Sequence, residues 1–300
     1  MKLLKKITVL VLLSFVMISH LFAQGLFSVS IPERERCLTE SSDPFTLDLV
    51  TDITLGTLSA GTFITSLVIK TTADFPRYNP ATIYDRNTVN DFDRWAMNPY
   101  NYALDKTADV GVALGFAAPV LTFGLEAAFG NLPVKSLLDV GVMYAEAFML
   151  SFGIRSLLKM SVLRPRPYMY FDSKDPKGIA GDDWQFSWPS GHSSNVFMAT
   201  TFLSYVFCQY YPDSAWKIPV VAFDTLLAVG TGVLRLLSGN HYLTDVLSGA
   251  AIGAACGFLV PFVHHLVAKH KAQASASAPV ALENVGLLPN GFVVTLSFKK

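Results

Sequence analysis

The stretch VLSGAAIGAACGFLVPFV, residues 246–263, carries no charged side chain and returns repeatedly to small residues at Gly249, Ala250, Gly253, Ala254 and Gly257. Small residues recurring through an apolar run are the pattern of helices whose backbones touch inside a membrane, and the alternation of a half-buried strand is absent. Five more apolar runs precede it: Ile53–Ile69, Val110–Leu125, Val140–Ile154, Ser193–Tyr211 and Ile218–Leu234. At 15 to 19 residues they fall a little short of the ~20 that cross a bilayer, a gap that tilt and snorkelling flanks close. The expected fold is all-α, a bundle of about six helices that passes the membrane several times.

Composition agrees with this reading. Hydrophobic residues make up 51% of the 300 and charged residues 15%, against about 25% charged in ordinary soluble domains. The 23 basic and 23 acidic residues cancel, which excludes a nucleic acid as partner and makes any attraction to phosphate local. Of the three cysteines, Cys208 and Cys256 lie inside apolar stretches, so neither a disulfide framework nor a cysteine metal site is expected, and Cys37 reads as a free thiol. Lys2, Lys5 and Lys6 before the apolar run Ile7–Val16, with Ala23-Gln24 after it, lay residues 1–23 out as an export signal or an uncleaved anchor. Either addresses the chain to the bacterial cell envelope. Residues 71–108 read as a loop-rich insert, Lys269–Pro279 as a polar linker, and Ala281–Phe298, around Pro289-Asn290-Gly291, as a short terminal β-hairpin. Glu126, Glu146 and Asp224 interrupt the apolar runs and should face the bundle interior if the runs span.

A polar constellation lies between residues 159 and 245: Lys159 and Arg166-Pro167, Pro189-Ser190-Gly191-His192, then Arg235, His241 and Asp245. In Leu163-Arg164-Pro165-Arg166-Pro167 the prolines end a helix and stiffen the backbone, and rigid cations suit a bound dianion. The same cations, with Arg155 and Arg164, also read as a positive membrane flank. Ser190 is a good N-cap for a helix starting near Ser193; free N–H groups there favour an anion, and Gly191 lets backbone approach a ligand. The plainer reading is a capped helix with a surface histidine. Ser238-Gly239-Asn240 breaks the helix that carries Arg235, and His241 and Asp245, four apart, share a face if the turn is helical. A carboxylate on one imidazole nitrogen fixes the tautomer and leaves the other free to attack; the alternative is a capping Asp beside an interfacial His. No carboxylate cluster suggests a Mg²⁺ site, and no cofactor is expected.

Taken in order, these pieces resemble the type 2 phosphatidic acid phosphatase (PAP2) and vanadium haloperoxidase superfamily. Its pattern is Lys-x6-Arg-Pro, Pro-Ser-Gly-His and Ser-Arg-x5-His-x3-Asp, met here by Lys159, Arg166 and Pro167, by Pro189 to His192, and by Arg235, His241 and Asp245. Leu234 stands where the family has Ser. The resemblance covers roughly residues 105–268, leaving 1–23 as signal or anchor, 24–104 as an N-terminal helix and loop region, and 269–300 as linker and hairpin. It implies metal-free hydrolysis of a phosphomonoester or diphosphate. His241 would attack phosphorus to give a phosphohistidine with Asp245 stabilising the ring, and His192 would act as acid and then as base. Lys159, Arg166, Arg235 and the backbone of Ser190 and Gly191 would hold the phosphoryl oxygens, with a bell-shaped pH dependence. Apolar helices around such a pocket favour a phosphorylated lipid over a small phosphomonoester. The rivals are a vanadate-dependent haloperoxidase, a soluble periplasmic acid phosphatase and a non-catalytic phosphate-binding envelope protein. A site facing the periplasm from the inner membrane is expected. Trp184, Phe186 and Trp188, just before the pocket, read either as acyl-chain contacts or as loop anchors.

Overall fold

Asp48, whose carboxylate accepts the amide of Thr51 at 3.3 Å, starts the first of six long helices among the described residues, α1 (Leu49–Thr72). A short α2 (Asp91–Arg94) follows, then α3 (Tyr102–Ala128), α4 (Val134–Val162), a short α5 (Pro176–Ala180), α6 (Gly191–Tyr210), α7 (Lys217–Leu237) and α8 (Leu243–Ser277). Beyond α8, β1 (Val280–Leu288) pairs antiparallel with β2 (Gly291–Phe298), with a register shift between Leu282 and Asn284. The computed structural model describes residues 43–277, 280–288 and 291–298. The export segment 1–23 and Cys37 lie outside these described residues.

Among the described residues five helices, α1, α3, α4, α7 and α8, are long and apolar enough to cross a membrane. Their outward faces stay apolar: Ile53, Ile64 and Val68 on α1, Leu114, Val120 and Leu121 on α3, and Ile218 and Leu226 on α7 are all exposed. An apolar surface of this extent does not suit water, and lipid is the solvent that covers it. The chain is thus built as a membrane protein. The sixth long helix, α6, packs against α3, α4, α7 and α8 and forms the axis of the bundle, with α1 added outside on α4. Met198, Phe202 and Val206 of α6 meet Met143 and Ala147 of α4, Phe123 of α3 and Val260 of α8 in the main core.

The small residues of α8 set its distance from α6. A Cβ on Gly249 would strike the carbonyl oxygen of Ser190, one on Gly253 that of Ser194, and one on Gly257 that of Met198. Backbone therefore touches backbone along two turns, the close approach that small residues permit between membrane helices. The charged interruptions turn inward: Glu146 and Asp224 are buried, the latter accepting from Ser204 Oγ at 2.6 Å, and half-buried Glu126 accepts from Tyr211 O–H at 3.1 Å.

Two stretches depart from the sequence expectation. Helix α3 begins at Tyr102, inside the segment expected to be loop-rich, because Asn101 caps it and Asp105 in its first turn pairs with Arg235, 130 residues further along the chain. Likewise α8 runs to Ser277 through most of the expected polar linker, with Lys271 reaching Asp48 at 2.7 Å. The helices also exceed the apolar runs that announced them, since their ends carry the polar side chains of the two surfaces. Gly253→Ala should destabilise the protein by about 1–3 kcal/mol, the range for an overpacked contact, read as a lower thermal midpoint in detergent. Gly230→Ala, where an added Cβ meets nothing within 4 Å, should leave the midpoint unchanged or raise it.

Candidate active site

Helix α4 stops at Val162, where Leu163 takes a left-handed conformation (φ 50°, ψ 51°) and Pro165 forbids continuation. The exit strand is then laced to two other segments. The Ser187 amide donates to Arg164 O at 2.9 Å, the Arg166 amide to Trp184 O at 2.8 Å, and the Tyr168 amide to Gly239 O at 3.0 Å. This lacing aims Arg166 inward. Its Nε donates to Asp183 O at 3.0 Å, one terminal nitrogen pairs with the Asp183 carboxylate, and the other donates to Asn240 Oδ1 at 3.1 Å. Lys159, one turn before the helix end, donates through Nζ to Phe186 O at 2.5 Å.

Ser190 caps α6, its hydroxyl accepting the Ser193 amide at 3.3 Å. Its own amide donates to Asp245 O at 2.8 Å, which ties the start of α6 to the start of α8. A Cβ on Gly191 would lie 2.7 Å from a terminal nitrogen of Arg155 and 3.8 Å from Lys159 Cε, so glycine leaves the first helical N–H groups open beside two cations. His192 follows, its Nε2 2.7 Å from Asp109 Oδ1, and Asp109 also pairs with Lys106 at 2.5 Å. One turn earlier on α3, Asp105 pairs with Arg235 from the last turn of α7 and accepts Asn240 Nδ2 at 2.9 Å.

Gly239 makes the turn into α8: its φ is +74° and a Cβ would lie 2.5 Å from the carbonyl oxygens of Asn98 and Pro99. The turn delivers His241 into full burial, with Nε2 3.4 Å from an Arg166 terminal nitrogen. Arginine only donates, so Nε2 is the acceptor and the ring proton sits on Nδ1. Nδ1 faces Asp245 Oδ2 at 3.5 Å, beyond hydrogen-bond range, and has no other partner. The carboxylate is already occupied: Oδ2 accepts from Ser187 Oγ and from the Tyr242 amide at 2.9 Å, and Oδ1 accepts from Arg164 at 2.6 Å. Burial, and then the charges of Arg166, Arg235, Lys159 and His192, hold the His241 imidazole well below its ordinary pKa. His241 is a neutral base among cations whose Nε2 lone pair faces Arg166 at 3.4 Å, and an anion that takes up the Arg166 donor would free that lone pair for attack.

Lys159, Arg166, Ser190, Gly191, His192, Arg235, His241 and Asp245 thus converge on one end of the bundle, linked through these contacts. Sequence reasoning missed their counter-charges: Asp105 and Asp109 on α3, Asp183, and Asp93 on α2. It also took Arg164 for a membrane flank. Arg164 instead bridges Asp245 and Asp93, the latter at 2.7 Å, and lies 3.8 Å over the Tyr242 ring. Trp184 and Phe186 are loop anchors, buried against Tyr78 and Tyr84 and against Phe75. A separate polar cluster joins Asp52, Glu146 and His264, whose ligand-type atoms lie within 4.8 Å of one another. Residues from three helices compose it, so no local carboxylate motif announces it.

A family model described as PAP2 superfamily matches residues 140–269. Phosphatidylglycerophosphatase B of Bacillus subtilis (strain 168) is 37% identical over 76 residues, 25% of this chain and 37% of the relative. A PA-phosphatase related-family protein of Dictyostelium discoideum is 29% identical over 127 residues, 40% of this chain and 46% of the relative. Lipid A 1-phosphatase of Porphyromonas gingivalis is 33% identical over 92 residues, 31% of this chain and 18% of the relative. The chain thus spans less than half the length of each of these relatives. A crystal structure of a transmembrane PAP2-type phosphatidylglycerolphosphate phosphatase from Bacillus subtilis aligns with 20% identity and a TM-score of 0.43, covering 70% of this chain and 98% of that one. Lys159 through Asp245 all lie within the stretch, residues 140–269, that matches the PAP2 superfamily model.

Proposed function

We propose that the protein is a phosphatase that removes the terminal phosphate of a phosphorylated lipid through a phosphohistidine on His241, without a metal ion. The carrying observation is the buried His241, its Nε2 beside the Arg166 guanidinium and its Nδ1 facing Asp245. Nε2 attacks phosphorus, forming an N–P bond as the bond to the leaving oxygen breaks, and Asp245 stabilises the imidazolium that results. His192 gives its proton to the leaving oxygen. It then takes one from the water that attacks the phosphohistidine, releasing inorganic phosphate and restoring His241. Lys159, Arg166, Arg235 and the first N–H groups of α6 bear the charge on the equatorial oxygens. The lipid substrate is supported by the apolar outer faces of the bundle and by two relatives named for phosphatidylglycerophosphate and lipid A.

The helices run alternately, so α1 ends on the side of the site, where Lys70 lies 3.7 Å over the Phe186 ring. An outward-facing site then puts Asp48 and the paired end of α8, with Lys269 and Lys271, on the cytoplasmic side. Once α1 crosses, an outward site puts the start of α1 in the cytoplasm, which excludes both a crossing Ile7–Ala23 segment and an N-terminus exported by a cleaved signal. We retain the periplasm-facing site in the inner membrane. A cysteine introduced at Asp172, on the site side, should react with a membrane-impermeant maleimide added to intact cells; labelling only after lysis would reverse the orientation.

Purified protein should release phosphate from phosphatidic acid or phosphatidylglycerophosphate in EDTA. His192→Ala should lose on the order of 10²–10⁴-fold in rate, the usual worth of a general acid, and His241→Ala at least as much. Hydrolysis retained in His241→Ala would exclude the phosphohistidine.

The pH profile follows from the same charges. His241 is held neutral, so the acid limb of kcat/KM should lie below the range of an ordinary imidazole. Burial and then Arg235 lower the proton affinity of His192, against the pull of Asp109. A bound phosphate anion offsets Arg235 and Arg166, so His192 takes up its proton with substrate in place, and activity should fall toward alkaline pH. That alkaline fall should vanish from the residual activity of His192→Asn; its persistence would remove His192 from the proton transfer.

A further inference from the structure

Arg155 lies one turn before Lys159 on α4 and is 9% exposed. It points inward, unlike a flanking arginine that snorkels to the membrane surface. Its guanidinium rests 4.3 Å from the Phe152 ring, its Nε has no hydrogen-bond partner, and among the described residues no carboxylate reaches it. The other arginines around the site are matched: Arg164 by Asp93 and Asp245, Arg166 by Asp183, Arg235 by Asp105. An unpaired buried cation in an apolar bundle is costly, and intramembrane charges that persist serve function by default.

Its surroundings add to that cost. A terminal nitrogen of Arg155 lies so close to Gly191 that a Cβ there would sit 2.7 Å away, with Lys159 Cε at 3.8 Å. The positive end of α6, capped by Ser190, completes the group. Two side-chain cations and a helix N-terminus therefore converge without an anion between them, and a guanidinium there presents forked donors matched to a phosphate edge.

We infer that Arg155 is a further anion-binding residue of the active site, holding an oxygen of the transferred phosphoryl group beside the Gly191 amide. This rests on the phosphatase reading for the identity of the anion, while the pocket itself is independent of turnover. Arg155 lies outside the motif positions that carry the family resemblance.

The test is calorimetric titration of inorganic phosphate into the detergent-purified full chain, for wild type, Arg155→Met and Arg155→Lys, with thermal midpoints without phosphate and lipid phosphate hydrolysis measured on the same preparations. Arg155→Met should bind phosphate at least ten-fold more weakly while its midpoint stays level or rises, because an unmatched buried charge has gone; Arg155→Lys should fall between. A purely structural arginine would behave in the opposite way, losing midpoint with either substitution. Unchanged phosphate affinity in Arg155→Met, an affinity loss that only tracks a lowered midpoint, or no phosphate binding by a wild type that hydrolyses lipid phosphate, would each overturn the inference. Arg155-dependent phosphate binding by a wild type that hydrolyses nothing would instead overturn the phosphatase reading and leave the anion site standing.

Discussion

The contact on which the rest of the structure depends is the one between the backbones of α6 and α8. Gly249, Gly253 and Gly257 let α8 lie against the carbonyls of Ser190, Ser194 and Met198, and the Ser190 amide donates to Asp245 O at 2.8 Å. The cap of one helix and the first turn of the next are therefore one rigid unit. Whatever holds the core of the bundle together also fixes the distance between the capped start of α6 and the carboxylate beneath His241. Core packing transmits position because close-packed interiors do not deform smoothly.

Charge is arranged on that unit with the same economy of motion. Arg164 spans Asp93 and Asp245, so the carboxylate beneath His241 is oriented from α2 as well as from α8. Asp105 and Asp109, one turn apart on α3, hold Arg235 and His192 respectively. These carboxylates keep their partners ordered in a poorly solvated place, and because Asp105 and Asp109 hold side chains from other helices, the site stays assembled only while α3, α6 and α7 are in register. Preorganised donors of this kind need no rearrangement when charge develops on a substrate.

The apolar helices and the motif residues were legible in the sequence because both are local patterns: small residues in an apolar run, Ser190 before a helix start, His241 four positions ahead of Asp245. The counter-charges were not legible, because each meets its partner across long separations, 71 residues from Asp93 to Arg164 and 130 from Asp105 to Arg235. The polar turns of α3 resembled a loop for the same reason; Asp105 and Asp109 satisfy cations that local sequence cannot show. Arg155 and Arg164 were equivalent flank residues on paper. Only the direction of each side chain separates one that orients a carboxylate from one that faces the start of α6.

The four-residue spacing of glycines along α8 also makes that helix phase-locked. One residue inserted between Asp245 and Gly257 would turn everything beyond it by about 100°, swinging the glycines off α6 and side chains onto its carbonyls. The same insertion in the connection between α6 and α7, residues 211–216, would leave both faces in place. A change of length in that connection leaves the packing intact, while α8 behaves as a ruler whose length between the two surfaces cannot drift.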